Sequence, residues 1–156
     1  MKKAILLSIV LAGTLFSVKP QSYPKAPGAI RLLTYNTHYC KGGYDPGEIN
    51  ESNVKKLAQV IKALDADVIA LQELDSAANG RWKRVLLDDI AKWSELDYVQ
   101  VYGIAADYDG GSVGNGTLVK RWLPIKKIKK MKLSSDVGRI LTVSYTHLRA
   151  HETCAD

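Results

Sequence analysis

A short apolar run that ends in two polar residues lies near the middle of the chain. Residues 68–71 are all apolar and two of them are β-branched, which predicts a short strand buried on both faces. The run ends at Gln72 and Glu73. A carboxylate at the end of a buried strand is costly unless it is paired, hydrogen-bonded or bound to a cation. Glu73 is therefore a candidate functional residue, although a Glu that simply reaches solvent would give the same pattern.

The pattern upstream predicts a βαβ unit. Residues 29–36 are rich in apolar and β-branched side chains and predict a strand that ends at Asn36. The helix that follows, capped by Asn50 or Ser52, is predicted from five apolar residues at helical spacing: Val54, Leu57, Val60, Ile61 and Leu64. Because a helical crossover makes its two strands parallel, Asn36 and Glu73 should leave the sheet at the same edge. Two oxygen ligands at one edge suit a hard cation such as Mg²⁺.

The pattern downstream predicts one more helix and four more strands. The helix is expected from about residue 81 to residue 94, and the strands over residues 98–104, 117–122, 125–133 and 138–143. Residues 107–116 are rich in glycine and predict a loop between two of these strands. Backbone amides in such a loop can approach an anion closely, but a glycine-rich segment alone is most often only a hairpin connection.

The two ends of the chain are predicted to lie outside the fold. Residues 1–22 combine a basic start with a short apolar stretch, which is typical of a bacterial secretory signal peptide and predicts a secreted or periplasmic protein; an uncleaved anchor is the alternative. Residues 23–29 then form a linker. Residues 144–156 resemble a translated technical sequence, with a genuine strand and turn as the alternative, and on the first interpretation they supply no functional residues.

Composition and charge add two candidates. The chain has 156 residues, of which 46% are hydrophobic, so a single domain with a core is expected and bulk disorder is not. The net charge of +6 includes a lysine-rich segment, residues 126–132, which could contact phosphates or protect an exposed edge strand from mispairing. The absence of interleaved aromatic residues favours the edge strand. Cys40 is the one cysteine outside the predicted tail, so it is expected to be a buried thiol or half of a missing pair.

Three segments together resemble the endonuclease/exonuclease/phosphatase superfamily. They are LLTYNTH at residues 32–38, DVIALQELD at 67–75 and GNGTLVK at 114–120. The resemblance covers residues 30–143 and implies an α/β fold, namely the N-terminal half of a four-layer α/β/β/α sandwich related to DNase I. It also implies an Mg²⁺- or Mn²⁺-dependent hydrolase for a phosphoester of nucleic acid, a lipid headgroup or a sugar phosphate. It implies no stable protein partner, and contact with a membrane only through the signal peptide.

The resemblance assigns roles to individual residues. Glu73 would bind the metal, and Asn36 would lie beside it and bond to the metal shell or the phosphate. His38 would orient or contact phosphate, with a structural hydrogen bond beneath the loop as the alternative. Asn115 would lie near the substrate groove. Gln72 would support the site from behind the metal ligands.

Two motifs of the superfamily's second half have no counterpart here. These are Gly-Asp-x-Asn and a terminal Ser-Asp-His, which would supply the general base, its Asp partner and a phosphate-binding Asn. We therefore expect the chain as written to be a truncated and inactive fragment, and poorly soluble, because the inner face of its first sheet would be uncovered. A noncatalytic binding or surface module on the same scaffold is the alternative function.

Overall fold

The computed structural model describes residues 23–43, 48–133 and 139–146 of the 156-residue chain. The predicted signal peptide, the predicted turn at 134–137 and most of the predicted tail lie outside the described residues. Within the described part of the chain, no helix is long and apolar enough to cross a membrane.

The described residues form two helices, one 3₁₀ turn and six strands. In chain order they are β1 (Leu32–Asn36), the 3₁₀ turn His38–Cys40, α1 (Glu51–Leu64), β2 (Val68–Ser76), α2 (Leu86–Ser94), β3 (Tyr98–Tyr108), β4 (Gly111–Lys120), β5 (Ile125–Leu133) and β6 (Arg139–Thr146).

The strands form two sheets. The larger sheet has the order β1-β2-β4-β3, and β5 pairs with β6 in a second, antiparallel sheet whose strand β6 contacts β3 and β4. β1 and β2 are parallel, with Asn36 opposite Gln72, so the predicted βαβ unit is confirmed. The mixed α/β architecture predicted from the sequence is therefore present, and it brings the carboxyl end of β1 beside Gln72 and Glu73 of β2.

Helix α1 begins and ends through side-chain and backbone caps. Asn50, one of the two predicted caps, accepts a hydrogen bond from the Asn53 amide, and Asp65 ends the helix in the left-handed conformation. Most of the predicted apolar stripe faces the core, where Val54 and Ile61 are fully buried. Val60 is the exception at 53% exposed, because it faces an open groove between α1 and β1.

Both helices pack on one face of the larger sheet. The core between them contains large apolar side chains from the sheet and from both helices, among them Ile61, Ile69, Leu71, Leu74, Leu87, Ile90 and Leu118. On the opposite face of β2, Val68 and Ala70 are only half-buried, so the prediction of a strand buried on both faces was wrong. Leu32 of β1 is 71% exposed on that face. The second sheet lies against β3 and β4 and leaves β1 and the adjoining face of β2 more open.

Strand β2 contains an irregularity between Leu71 and Leu74. Leu71 is opposite Gly116 and Leu74 is opposite Gly114, so Gln72 and Glu73 together oppose the single residue Asn115. This is a β-bulge with one extra residue on β2. It keeps both leucines on the helix-facing side of the sheet despite their odd spacing.

Helix α2 starts later than predicted. It begins at Leu86, five residues after the predicted start, because residues 77–84 form a loop instead. The Ala77 amide donates to the Arg84 carbonyl at 3.0 Å, and Ser76 bridges to Val85 across the base of this loop. Ala77 and Trp82 have positive φ values of 59°, which a helix does not allow.

Most of the glycine-rich segment is strand, so the predicted loop over residues 107–116 was wrong. Residues 107–108 end β3, residues 111–116 begin β4, and only residues 109–110 form a turn. β3 and β4 form a hairpin whose two turn residues, Asp109 and Gly110, have φ values of 44° and 74°. A Cβ atom added at Gly116 would lie 2.6 Å from the Cδ1 atoms of Leu74 and Leu87. Glycine is needed there for close packing, so this part of the segment serves the core rather than an anion.

The lysine-rich segment lies on β5, as predicted. Its lysines from Lys126 to Lys130 are exposed, and among the described strands β5 pairs only with β6. The position fits the edge-strand explanation, which stays a prediction. β6 continues to Thr146, so the first residues of the predicted tail, from Ser144, lie within a strand.

Candidate functional site

Glu73 and Asn36 lie side by side, Asn36 at the carboxyl end of β1 and Glu73 within β2. The prediction that Glu73 ends its strand was wrong, because β2 continues past the bulge to Ser76. The Asn36 side-chain amide, Nδ2, donates a hydrogen bond to Glu73 Oε1 at 2.9 Å. Asn36 is exposed and Glu73 is half-buried, so both remain accessible from solvent. The two side chains that the sequence singled out are thus brought together by the parallel pairing of their strands.

The bulge sets the conformation of Glu73. Its φ of 55° lies in the left-handed region, which costs a residue other than glycine roughly 1–3 kcal/mol. Such strain persists only where the surrounding structure enforces it, and it is concentrated at functional sites. Asn115 lies opposite Glu73 and Gln72 in the β2–β4 ladder, so the structure places the third predicted residue beside the same bulge. Asn115 also interacts with other groups of the protein.

The His38–Cys40 turn follows β1 and lies next to the two side chains. The His38 amide donates to Asn36 Oδ1 at 2.9 Å, which fixes the Asn36 side chain between the turn and Glu73. Thr37 contacts β2 twice, because its hydroxyl donates to the Glu73 carbonyl at 2.6 Å and its amide to the Gln72 carbonyl at 2.9 Å. The His38 side chain itself is exposed.

Gln72 is occupied within the sheet. Its Nε2 donates to Thr34 Oγ1 and to the Ala70 carbonyl, both at 3.2 Å. These bonds hold Gln72 alongside β1, in agreement with a supporting position rather than a ligand.

The arrangement offers a carboxylate to a cation. Glu73 contributes the oxygen atoms, while Asn36 turns its Nδ2 toward that carboxylate and its Oδ1 toward the His38 amide. Carboxylate oxygens suit Mg²⁺ or Mn²⁺ better than a soft metal. In the described part of the chain, no three His, Cys, Asp or Glu side chains form a group that could hold a metal by themselves.

Cys40 is the last residue of the turn, and its thiol is buried. The residue is 5% exposed and is a free thiol. Burial raises the pKa of the Cys40 thiol to about 11, against a smaller lowering by the Thr37 side chain. The expectation of a buried thiol is confirmed.

Asp75 is a second buried carboxylate near the site that the sequence reasoning missed. It is fully buried, its Oδ1 accepts from Arg81 Nη1 at 3.1 Å, and its Oδ2 has no hydrogen-bond partner among the described residues. Burial raises the pKa of Asp75 and outweighs the opposing effect of Arg81. The signal was available, because the argument applied to Glu73 holds equally for an acid two residues further along the strand.

Comparison with family models decides which family this is. The model of the endonuclease/exonuclease/phosphatase family matches residues 33–142, which is more than half of the chain. The chain belongs to the endonuclease/exonuclease/phosphatase family. The matched residues include all four predicted site residues: Asn36, His38, Glu73 and Asn115.

Two solved structures show the same fold. A protein of this family from Leptotrichia buccalis C-1013-b is 20% identical with a TM-score of 0.57, over 78% of this chain and 51% of its own. A second one, from Beutenbergia cavernae DSM 12333, is 21% identical with a TM-score of 0.60, over 77% of this chain and 35% of its own. Comparison with curated proteins gave no match. The chain thus spans about half the length of one solved relative and about a third of the other.

Membership of this family indicates a general type of reaction. Proteins of the endonuclease/exonuclease/phosphatase family hydrolyse phosphoester bonds and generally depend on divalent metal ions. The predicted resemblance and the predicted α/β fold are confirmed at this level.

Proposed function

We propose that this chain carries the first part of the metal site of a divalent-cation-dependent phosphoester hydrolase, with Glu73 as a metal ligand. The observation that supports this most directly is the hydrogen bond of 2.9 Å between Asn36 Nδ2 and Glu73 Oε1, where the parallel strand β1 ends beside β2. A scaffold without a site has no need for a carboxylate held in a strained bulge and oriented by a neighbouring amide.

The residues fit the cation in their donor chemistry. A bound Mg²⁺ or Mn²⁺ would polarise a phosphoester oxygen and offset negative charge in the transition state. Glu73 would hold the ion through its carboxylate, while Asn36 keeps that carboxylate in place. His38, exposed beside them, would donate a hydrogen bond to a phosphate oxygen, and Asn115, on the neighbouring strand β4, would lie near the substrate groove.

Binding of Mn²⁺ to the chain tests the site directly. In NMR spectra, Mn²⁺ should broaden the amide signals of Asn36, His38 and Glu73 before those of the far end of the sheet. We expect an affinity on the order of 1 mM, because a site with few protein ligands binds hard cations weakly. Glu73→Gln should weaken this binding about tenfold, since it removes the charge and keeps the shape.

The matched control is Glu95→Gln. Glu95 is a surface glutamate, with a side chain 69% exposed and paired with Lys62, and it also has a positive φ, here 57°. Its replacement should leave Mn²⁺ binding unchanged. Equal broadening in the wild type and in Glu73→Gln, or broadening centred on another part of the chain, would remove Glu73 from the site.

Turnover is a separate part of the proposal. We expect no hydrolysis of bis-(p-nitrophenyl) phosphate by this chain alone, because the motifs that would supply a base have no counterpart in its sequence. Hydrolysis that requires Mn²⁺ and is abolished by Glu73→Gln would show that the chain is active as it stands. The substrate of the whole protein is proposed only as a phosphoester of nucleic acid, a lipid headgroup or a sugar phosphate.

Export is proposed from the sequence of residues 1–22. Fusion of these residues to alkaline phosphatase should give periplasmic activity in a bacterial host. Replacement of the basic start, Lys2 and Lys3, by glutamate should reduce it, since the signal needs its positive end. A fusion that accumulates in the cytoplasm and shows no phosphatase activity would argue against export, because the reporter needs the oxidising periplasm to form its disulfides.

A further inference from the structure

The His38–Cys40 turn is strained over three consecutive residues. His38, Tyr39 and Cys40 have φ values of 47°, 55° and 58°, and none of them is glycine. This left-handed conformation raises the energy of residues other than glycine, so contacts with other parts of the molecule must hold the turn in place. Its own neighbours supply some of these contacts through Thr37 and Asn36, as described above. Tyr39 is held from outside the turn.

Arg81 holds Tyr39 from the loop that follows β2. The guanidinium carbon of Arg81 lies 4.3 Å from the ring centroid of Tyr39 and 4.1 Å from that of Tyr108, so one planar cation lies close to two rings. Its Nη1 donates to the buried Asp75 at 3.1 Å. The Arg81 side chain is 21% exposed, and the partial exclusion of water strengthens both kinds of contact.

Arg81 thereby joins three segments that are distant in sequence. Tyr39 belongs to the turn, Asp75 to the end of β2, and Tyr108 to the end of β3. The loop that carries Arg81 is itself fixed to the β3–β4 hairpin, because the Asn79 amide donates to the Asp109 carbonyl at 2.9 Å. The turn is thus tied to the same strand, β2, that carries Glu73.

We propose that Arg81 is a positioning residue, which keeps the His38–Cys40 turn in place beside Glu73 through Tyr39, Tyr108 and Asp75. The proposal deepens the proposed function, since the turn carries His38 and contacts Asn36. Arg81 acts through its neighbours and needs no contact with metal or substrate. Lysine does not replace it, because a lysine ammonium has the charge but lacks the plane that lies against two rings.

Hydrogen exchange of backbone amides tests this without any metal. The reporters are the amides of Thr37, His38 and Cys40, each of which donates a defined hydrogen bond. The reference is the Lys120 amide, which donates to the Asp67 carbonyl at 2.8 Å at the other end of the sheet. In Arg81→Met and in Arg81→Lys, the three reporters should exchange about tenfold faster relative to Lys120 than in the wild type.

Arg84→Met is the matched control. Arg84 is in the same loop, lies 5.2 Å from the Trp82 ring centroid and pairs with Asp89, but it has no contact with the turn among the described residues. This variant removes a comparable stacked and paired arginine, so it should leave the ratio of reporter to reference exchange unchanged. A second pair of variants leaves the ion pair in place. Tyr108→Leu removes the ring and should accelerate the reporters, whereas Tyr108→Phe keeps the ring, loses only the hydroxyl that interacts with Arg81, and should accelerate them clearly less.

The outcomes separate this inference from the proposed function. Unchanged reporter ratios in both Arg81→Met and Tyr108→Leu, or unprotected reporter amides in the wild type, would overturn the positioning role whatever the metal result. If Arg81→Met does not fold, the two Tyr108 variants decide. Failure of the wild type to bind Mn²⁺ would remove the proposed metal site and leave the exchange result valid. With both intact, Arg81→Met should also weaken Mn²⁺ binding severalfold, and Arg84→Met should not.

Discussion

Asp67, at the start of β2, gives the sharpest test of how this fold is held together. Its side chain is fully buried, and both of its oxygens accept from Lys25 Nζ at 2.7 Å. The Arg31 amide donates to it at 2.7 Å, and Lys120 Nζ lies 3.6 Å away. One carboxylate therefore connects the segment before β1, the start of β2 and the end of β4.

Replacement of Asp67 by asparagine should cost about 3 kcal/mol of unfolding free energy. Removal of one partner from a buried ion pair typically costs roughly 3–5 kcal/mol, because the other charge is left uncompensated. The lower end applies here, since the Lys25 side chain keeps 25% of its exposure and can be rehydrated. Urea unfolding followed by circular dichroism measures the difference.

The loss should also depend on pH. Burial by itself would raise the pKa of Asp67, but the Arg31 amide, Lys25 and Lys120 outweigh it and hold the pKa below its usual value. Ionised Asp67 therefore stabilises the fold fully above the unfolded pKa, which is about 3.9. The stabilisation disappears as the pH falls through the folded pKa, so Asp67→Asn and the wild type should converge in acid.

The control for Asp67 is the surface pair of Asp97 and Arg121. Their side chains are 72% and 63% exposed, and Asp97→Asn should leave the unfolding free energy unchanged within error. If Asp67→Asn lowers the unfolding free energy by less than about 1 kcal/mol, the ionised carboxylate does not hold these three segments together. A difference that stays constant from neutral pH into acid would refute this role as well.

Three further predictions concern single residues around the core and the site. Asp75 should titrate above about 3.9 in a carbon NMR titration, because burial raises its pKa. The unfolding free energy should therefore fall as the pH rises through that pKa, and Asp75→Asn should remove this dependence on pH. A midpoint at or below the usual value would contradict it. Cys40, with a pKa of about 11, should react with a thiol reagent only after unfolding, and rapid labelling of the native chain would show that it is accessible. Gly116→Ala should lower the unfolding free energy by about 1–3 kcal/mol, because the added Cβ would lie 2.6 Å from atoms of Leu74 and Leu87. Gly43→Ala, where the added Cβ would have nothing within 4 Å, should leave the unfolding free energy nearly unchanged in the same urea assay.

The sequence predicted those parts of the fold that depend on local pattern. The stripe of α1 and the apolar run of β2 are strong periodic signals, and their order alone implied the parallel pairing that brings Asn36 to Glu73. The hairpin turn was also readable, since Asp-Gly at residues 109 and 110 is a strong signal for a two-residue turn. The high glycine content nevertheless led to the prediction of a longer loop, because glycine is common both in loops and in tightly packed strands.

Other features could not be predicted because they depend on tertiary contacts. The start of α2 was placed too early, since the sequence around Trp82 shows helical spacing but the chain there folds back against the β3–β4 hairpin. The network around Arg81 joins Tyr39 and Tyr108, which are 69 residues apart in the chain. Neither ring carries any local sign that a guanidinium would lie against it.

The extra residue in β2 is not needed for pairing with β4. Between Leu71 and Leu74 the chain advances three residues while β4 advances two, so a shorter β2 could run past β4 with both leucines still facing the helices. The carboxylate proposed as a metal ligand thus lies in a stretch that the ladder of paired strands does not require. A substitution at position 73 that keeps the backbone in place would leave the strand pairing intact, so loss of the acid would change the proposed site before it changed the sheet.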